Sequence, residues 1–195
     1  MSTSSAIQIS NFTKKYVNKT ISIHRLEIKN RVTLFIGENG SGKSTVLKAL
    51  MSIISFEGEV NHSNTLSFMP ENPFFPRDIT VEEFLFNLSQ LNPNDYDYKP
   101  YLTKYGLNSK KTEDISSLSK GMKAKLNLIQ CLIRNSDYYL LDEPLSGLDE
   151  GSVNILVNDI KKSSKSFIVS SHLEEAFDDL EKEVIRINEL TESTL

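Results

Sequence analysis

Hydrophobic positions near the start of the chain recur every second residue. Ile7 and Ile9 are followed by Ile21 and Ile23, then by Leu26 and Ile28. That period puts alternate side chains on one face of a strand, so these segments read as half-buried strands. The run Val32–Ile36 is apolar apart from Thr33 and ends at Gly37, as a buried strand feeding a turn does. From Ser44 onward, Val46, Leu47, Leu50, Met51 and Ile54 follow the spacing of a helix face. The pattern weakens over about 71–117, which holds most of the prolines and many Asn, Asp and Tyr residues. A short helix is predicted there over 80–91, with Val81, Phe84, Leu85 and Leu88 on one face and Thr80 and Glu83 spaced as a capping box. Helical spacing then returns at Leu118, Met122, Leu126, Ile129 and Ile133. Beyond it the pattern predicts strands over 138–141, 166–169 and 184–187, and helices over 151–161 and 173–180. Strands alternating with helices predict an α/β chain with a largely parallel sheet.

Length and composition narrow this picture. The 195 residues fit a single domain over 1–195. About 1–70 and 118–195 would form the core, and about 71–117 an inserted helical lobe. A net charge of -4 argues against a dedicated nucleic-acid binder, so no nucleic-acid partner is expected. Cys131 is the one cysteine, so no internal disulfide can form; it reads as a small buried side chain on a helix. The polar start MSTSSAIQIS lacks the pattern of a leader peptide. No run approaches the roughly 20 apolar residues that span a bilayer. A soluble chain is expected, serving a membrane only through a partner.

Two motifs carry chemistry. Gly37, Glu38, Asn39, Gly40, Ser41, Gly42, Lys43 and Ser44 follow the order G-x-x-x-x-G-K-[ST], with a predicted strand before and a helix after. A glycine-rich turn lets backbone N–H groups converge on phosphate oxygens, and the helix start adds its positive end. Lys43 supplies charge for the outer phosphates, and Ser44 a hydroxyl for Mg²⁺. The second motif is Asp142-Glu143-Pro144 at the end of the apolar strand 138–141. Asp142 there is placed to hold Mg²⁺, and Glu143 to polarise an attacking water.

These motifs, with Leu118-Ser-Lys-Gly-Met122, Ser146-Gly-Leu-Asp149 and His172, resemble the ABC ATPase family over about 7–187. The first resembles the family's L-S-G-G-Q signature, the second its D-loop, and His172 its switch histidine. The resemblance implies a P-loop NTPase core of mainly parallel sheet flanked by helices, with a small antiparallel β lobe and an inserted helical lobe. It implies ATP and Mg²⁺ as cofactors, and catalysis by Glu143, His172 and Lys43. Tyr16 would stack on adenine, and Thr45 would join the cradle residues on the nucleotide. Glu71 stands where the family commonly has Gln, and would meet nucleotide and metal. Two such subunits, alike or different, would pack head to tail. Ser119, Lys120, Gly121 and Asp149 of one would then face the nucleotide of the other.

The S-K-G-M form of the signature looks like exporter subunits. That implies an integral membrane permease as partner and a place on the cytoplasmic face of the membrane. Phe74, Phe75 and Pro76 sit where the family docks its membrane partner. The alternative is an ABC ATPase acting on ribosomes or DNA. Such proteins usually carry two motif sets or a long coiled-coil insert, and this chain has neither.

Overall fold

The structure, a computed structural model, describes residues 6–91 and 97–190. The polar start at 1–5, part of the stretch expected to carry no leader, lies outside them. The two alternating segments form a hairpin, β1 (Ile7–Tyr16) and β2 (Lys19–Ile28), paired antiparallel from Ile7↔Ile28 to Tyr16↔Lys19. Their inward side chains, among them Ile7, Ile9, Ile21, Ile23 and Ile28, are buried. Next come the fully buried β3 (Val32–Ile36), α1 (Lys43–Leu50), β4 (Glu57–Asn61) and β5 (Leu66–Met69). The middle of the chain supplies α2 (Val81–Gln90) and α3 (Lys99–Lys104). The capping box is present, with the Glu83 N–H donating to Thr80 Oγ1 at 3.2 Å and the Thr80 N–H to Glu83 Oε2 at 2.9 Å. Then follow α4 (Lys120–Leu132), β6 (Tyr138–Asp142), α5 (Glu150–Lys162), β7 (Ser166–Ser171), β8 (Glu183–Arg186) and α6 (Ile187–Leu190).

Five strands make a wholly parallel sheet in the order β5-β6-β7-β3-β8. Core lies on both faces, which is why its strands read as apolar runs. Leu34, Leu141 and Val169 point into a core shared with α2–α5, while Phe35, Leu140 and Ile168 point into one shared with α1 and the hairpin. The smaller sheet is antiparallel, in the order β2-β1-β4. The mixed α/β architecture with a small antiparallel sheet is therefore as expected.

The structure corrects two local expectations and adds two strands. The predicted helix over 173–180 is a single 3₁₀ turn, Glu175–Phe177. Its bonds close three residues apart, the Phe177 N–H on the Glu174 carbonyl and the Leu180 N–H on the Phe177 carbonyl, each at 3.1 Å, and Lys182 Nζ caps that last carbonyl at 2.8 Å. The last strand stops at Arg186, and Ile187 opens α6. Strands β4 and β5 had no forecast. In β4 every residue but Val60 is exposed, so no alternation marks it. It is seated by Gly58, at φ 102, where a Cβ would lie 2.3 Å from the Asn11 carbonyl oxygen.

Candidate functional site

The carboxyl end of β3 opens into the turn 37–42, and α1 starts immediately after it at Lys43. Gly40 and Gly42 adopt φ of 83° and 115°, a region side-chain-bearing residues rarely enter. At Gly37 the reason is space, since a Cβ there would sit 2.7 Å from Ser41 Oγ and 2.8 Å from Asn188 Oδ1. Lys43 folds back over this turn and is only 5% exposed. Its Nζ donates to the carbonyls of Gly37 at 2.7 Å and Glu38 at 3.3 Å, and lies 3.3 Å from Glu143 Oε1. Lys19, at the start of β2, donates to the Gly40 carbonyl.

A cavity of about 520 Å³ opens above the turn, lined by Asn39 to Thr45 and by Tyr16, Lys19, Ile21 and Glu71. Tyr16 reaches it from the hairpin. Its hydroxyl is 3.0 Å from Thr45 Oγ1, its ring is half-exposed, and Lys14 Nζ lies 5.7 Å from the ring centroid.

The acid pair hangs from the neighbouring strands. Asp142 ends β6 at 1% exposure, and its Oδ1 accepts from Ser44 Oγ at 2.8 Å and from Ser170 Oγ at 2.6 Å. Glu143 lies just beyond, in the left-handed region at φ 47. Its N–H donates to the carbonyl of Ser170 at 3.1 Å and to Ser170 Oγ at 3.0 Å. Its carboxylate bridges Lys43 and His172. Oε1 is buried without a hydrogen-bond partner of good geometry, but lies within ion-pair distance of Lys43 Nζ. Oε2 accepts from His172 Nδ1 at 2.9 Å, and His172 is itself more than half exposed. A carboxylate can only accept, so the histidine carries its proton on Nδ1.

Such an arrangement can neutralise phosphate charge, hold a hard cation and aim a water. The Ser44 hydroxyl and the Asp142 carboxylate are adjacent oxygen donors of the kind Mg²⁺ takes, so the residues fit that ion. Glu71 is exposed on the rim and is not bonded to either.

A second group of forecast residues lies apart. Ser119 is the N-cap of α4, its Oγ accepting the Met122 N–H at 3.3 Å. Gly121 approaches the Gly147 carbonyl so closely that a Cβ would lie 3.1 Å away. Asp149 is the N-cap of α5, accepting the Ser152 N–H at 2.9 Å, with Lys125 Nζ 2.6 Å from its other oxygen. Lys125 first, and the Ser152 N–H second, hold its carboxyl at about 2. None of Ser119, Lys120, Gly121 and Asp149 lines the cavity above the phosphate turn. Lys120 instead shares a groove of about 410 Å³ with Glu71, Phe75 and Glu143.

The two phenylalanines after Glu71 part company. Phe74 is 89% exposed, whereas Phe75 sits edge-on to Phe84 at 5.6 Å between ring centroids. Sequence reasoning missed Lys19, Ser170 and Asn127. Asn127 donates to the Pro70 carbonyl at 2.7 Å and so anchors the start of the Glu71 loop. No spacing marks any of the three, because their partners are distant in sequence and are brought in by tertiary packing. Cys131 is 1% exposed, and burial pushes its thiol up to about 12, as a packing residue requires. No helix among the described residues is long and apolar enough to cross a membrane.

A family model described as "ABC transporter" matches residues 25–146, more than half of the chain. The chain is 31% identical to the uncharacterized ABC transporter ATP-binding protein MJ1023 of Methanocaldococcus jannaschii, covering 85% of this chain and 68% of the relative. It is 28% identical to the lantibiotic transport ATP-binding protein SrtF of Streptococcus pyogenes, over 86% of this chain and 80% of the relative. A solved ATP-binding subunit of an ABC transporter superposes with a TM-score of 0.80 at 20% identity, covering 94% of this chain and 87% of its own, and shows the shared fold. Other relatives are named both for zinc import, in Rickettsia prowazekii at 32% identity over 73% of this chain and 64% of the relative, and for cytochrome c biogenesis export, in Reclinomonas americana at 32% identity over 72% of each.

Proposed function

The chain belongs to the ABC transporter ATP-binding family, and on that premise we propose that it hydrolyses ATP to drive export through a separate membrane permease. The carrying observation is the continuous chain from Lys43 through Glu143 to His172, set beside the Ser44–Asp142 pair. Bound ATP would lay its phosphates along 37–45 and its base against Tyr16. Lys43 would exchange its pairing with Glu143 for the outer phosphates. Freed of that pairing, the Glu143 carboxylate orients a water and takes its proton as the water oxygen attacks the γ-phosphorus. The bond to the bridging oxygen breaks, leaving ADP and phosphate. His172, held on the same carboxylate, turns towards the γ-phosphate. Mg²⁺, when held by Ser44 and Asp142 with Glu71 nearby, neutralises charge on the phosphate oxygens.

Ser119, Lys120, Gly121 and Asp149 lie away from the chain's own cavity. That supports a head-to-tail pair in which they complete the partner copy's site, the small residues at a helix start serving as an anion site. Export is supported by the S-K-G-M signature and by the likeness to a lantibiotic transport protein. Phe74, exposed on the loop after Glu71, offers the apolar contact for a permease, which would hold the subunit on the cytoplasmic face of the membrane. The domain reading goes with this: one catalytic unit, with about 71–117 as the helical lobe that carries the docking loop.

The test is phosphate release by the purified chain, with Glu143→Gln as control, followed by identification of the membrane protein that co-purifies from native membranes. Mg²⁺-dependent turnover together with a co-purifying permease supports the reading. Turnover with ribosomes or DNA co-purifying instead would overturn the transport assignment.

A further inference from the structure

Asp142 and Glu143 belong to one strand end, yet both are held by a single residue of the next strand. Ser170 is fully buried in β7. Its hydroxyl donates to Asp142 Oδ1 at 2.6 Å and accepts the Glu143 N–H at 3.0 Å. One hydroxyl proton and one lone pair are thus both used, with opposite polarity, on adjacent residues. The Ser170 carbonyl also accepts the Glu143 N–H at 3.1 Å. Glu143 needs this hold, because φ 47 is unfavourable for a residue with a long side chain. Neither neighbouring residue shares this hold on the Glu143 backbone. Ser171 Oγ accepts the Leu173 N–H at 3.0 Å, and His172 reaches the Glu143 carboxylate.

We infer that Ser170 is a positioning residue, fixing the Asp142 carboxylate for the cation and the Glu143 backbone for the attacking water. Fully buried, it would act through Asp142 and Glu143. The inference rests on the ATP-hydrolysis reading above. Asp142 Oδ1 is shared by Ser44 and Ser170. When Ser44 turns its hydroxyl to the cation, Ser170 remains to hold the carboxylate's rotamer. Phosphoryl transfer depends on such placement more than on any covalent step.

The experiment uses the full chain in three forms: wild type, Ser170→Ala, and Ser170→Thr, which keeps the hydroxyl. ATP affinity is measured with Mg²⁺ and in EDTA, and turnover and thermal midpoint are read in parallel. For Ser170→Ala the expected result is unchanged affinity in EDTA, a several-fold loss of the Mg²⁺ enhancement of binding, and a turnover reduced on the order of tenfold or more, as misplacement produces. Ser170→Thr restores most of both. The idea is overturned if Ser170→Ala keeps Mg²⁺ enhancement and turnover close to wild type. It is also overturned if Ser170→Ala loses binding in EDTA along with its thermal midpoint, which would assign the residue to folding alone, or if Ser170→Thr folds normally yet restores neither readout. A wild-type chain that binds ATP but never turns it over would sink the enzymatic reading instead. The Mg²⁺-dependent binding of the Ala variant would then still decide the hold on Asp142.

Discussion

The cradle with its acid pair and the face carrying Ser119 and Asp149 differ in how complete they are. Lys43, Asp142 and Glu143 are largely buried, each tied to residues far away in sequence through the parallel sheet. Ser119 and Asp149 are exposed and make mainly local bonds, as helix caps. On the proposed reading, one region is half of a site and the other is a helix end that would receive the partner copy's phosphate.

Breaking the buried half should have the largest consequence. Glu143→Gln keeps the side-chain shape but removes the base, and turnover should fall about 100-fold or more, the scale of general-base catalysis. Phosphate release with ATP binding in parallel checks this, and an ATP-bound dimer should accumulate on size exclusion. Lys43→Ala removes a charged donor worth about 1.5–3 kcal/mol, so ATP affinity measured by titration should drop about tenfold to a hundredfold.

The open half breaks differently. Ser119→Asp keeps a good N-cap but sets a negative charge where the partner's γ-phosphate would arrive. ATP affinity of the monomer should stay within about twofold, as for distant independent sites, while ATP-driven dimerisation is lost. Loss of monomer affinity as well would erase the distinction between the halves.

Phe74 and Phe75 give a sharper pair on the docking loop. Phe75→Asp should destabilise by about 2 kcal/mol or more, because it puts a charge against Phe84. Phe74→Asp should leave the unfolding midpoint almost unchanged while weakening any permease contact. The smallest effect belongs to Asp149. Its carboxyl sits at about 2, below the ordinary carboxylate range. Its bonds to Lys125 and Ser152 therefore add stability above about pH 4, and that contribution is lost as the pH falls towards 2. Urea midpoints of the wild type and Asp149→Asn should converge across that window and separate above it.

Much of this was legible from spacing alone. The glycine turn, the buried strand before it and the acid pair at the end of β6 are local patterns, and each lands where its pattern puts it. The hairpin was legible because Ile7, Ile9, Ile21 and Ile23 alternate. Strand β4 was not, because it lies almost wholly exposed and is held by Gly58 against a bulge at Asn11. The false helix over 173–180 has the right apolar residues, Phe177 and Leu180, but its turns close on i→i+3 bonds and Lys182 caps the Phe177 carbonyl. The Phe74–Phe75 difference needed Phe84 in place, and Ser170 needed β7 beside β6. Sequence order carries no sign of either neighbour.

The sheet order has a mechanical corollary. β6, β7 and β3 are consecutive rungs of one ladder, and they carry Asp142 and Glu143, His172, and the phosphate turn respectively. A block laced in this way transmits force without bending. If the chain works as proposed, any movement on nucleotide turnover would be expected at the exposed loop from Glu71 to Phe74 rather than within these strands.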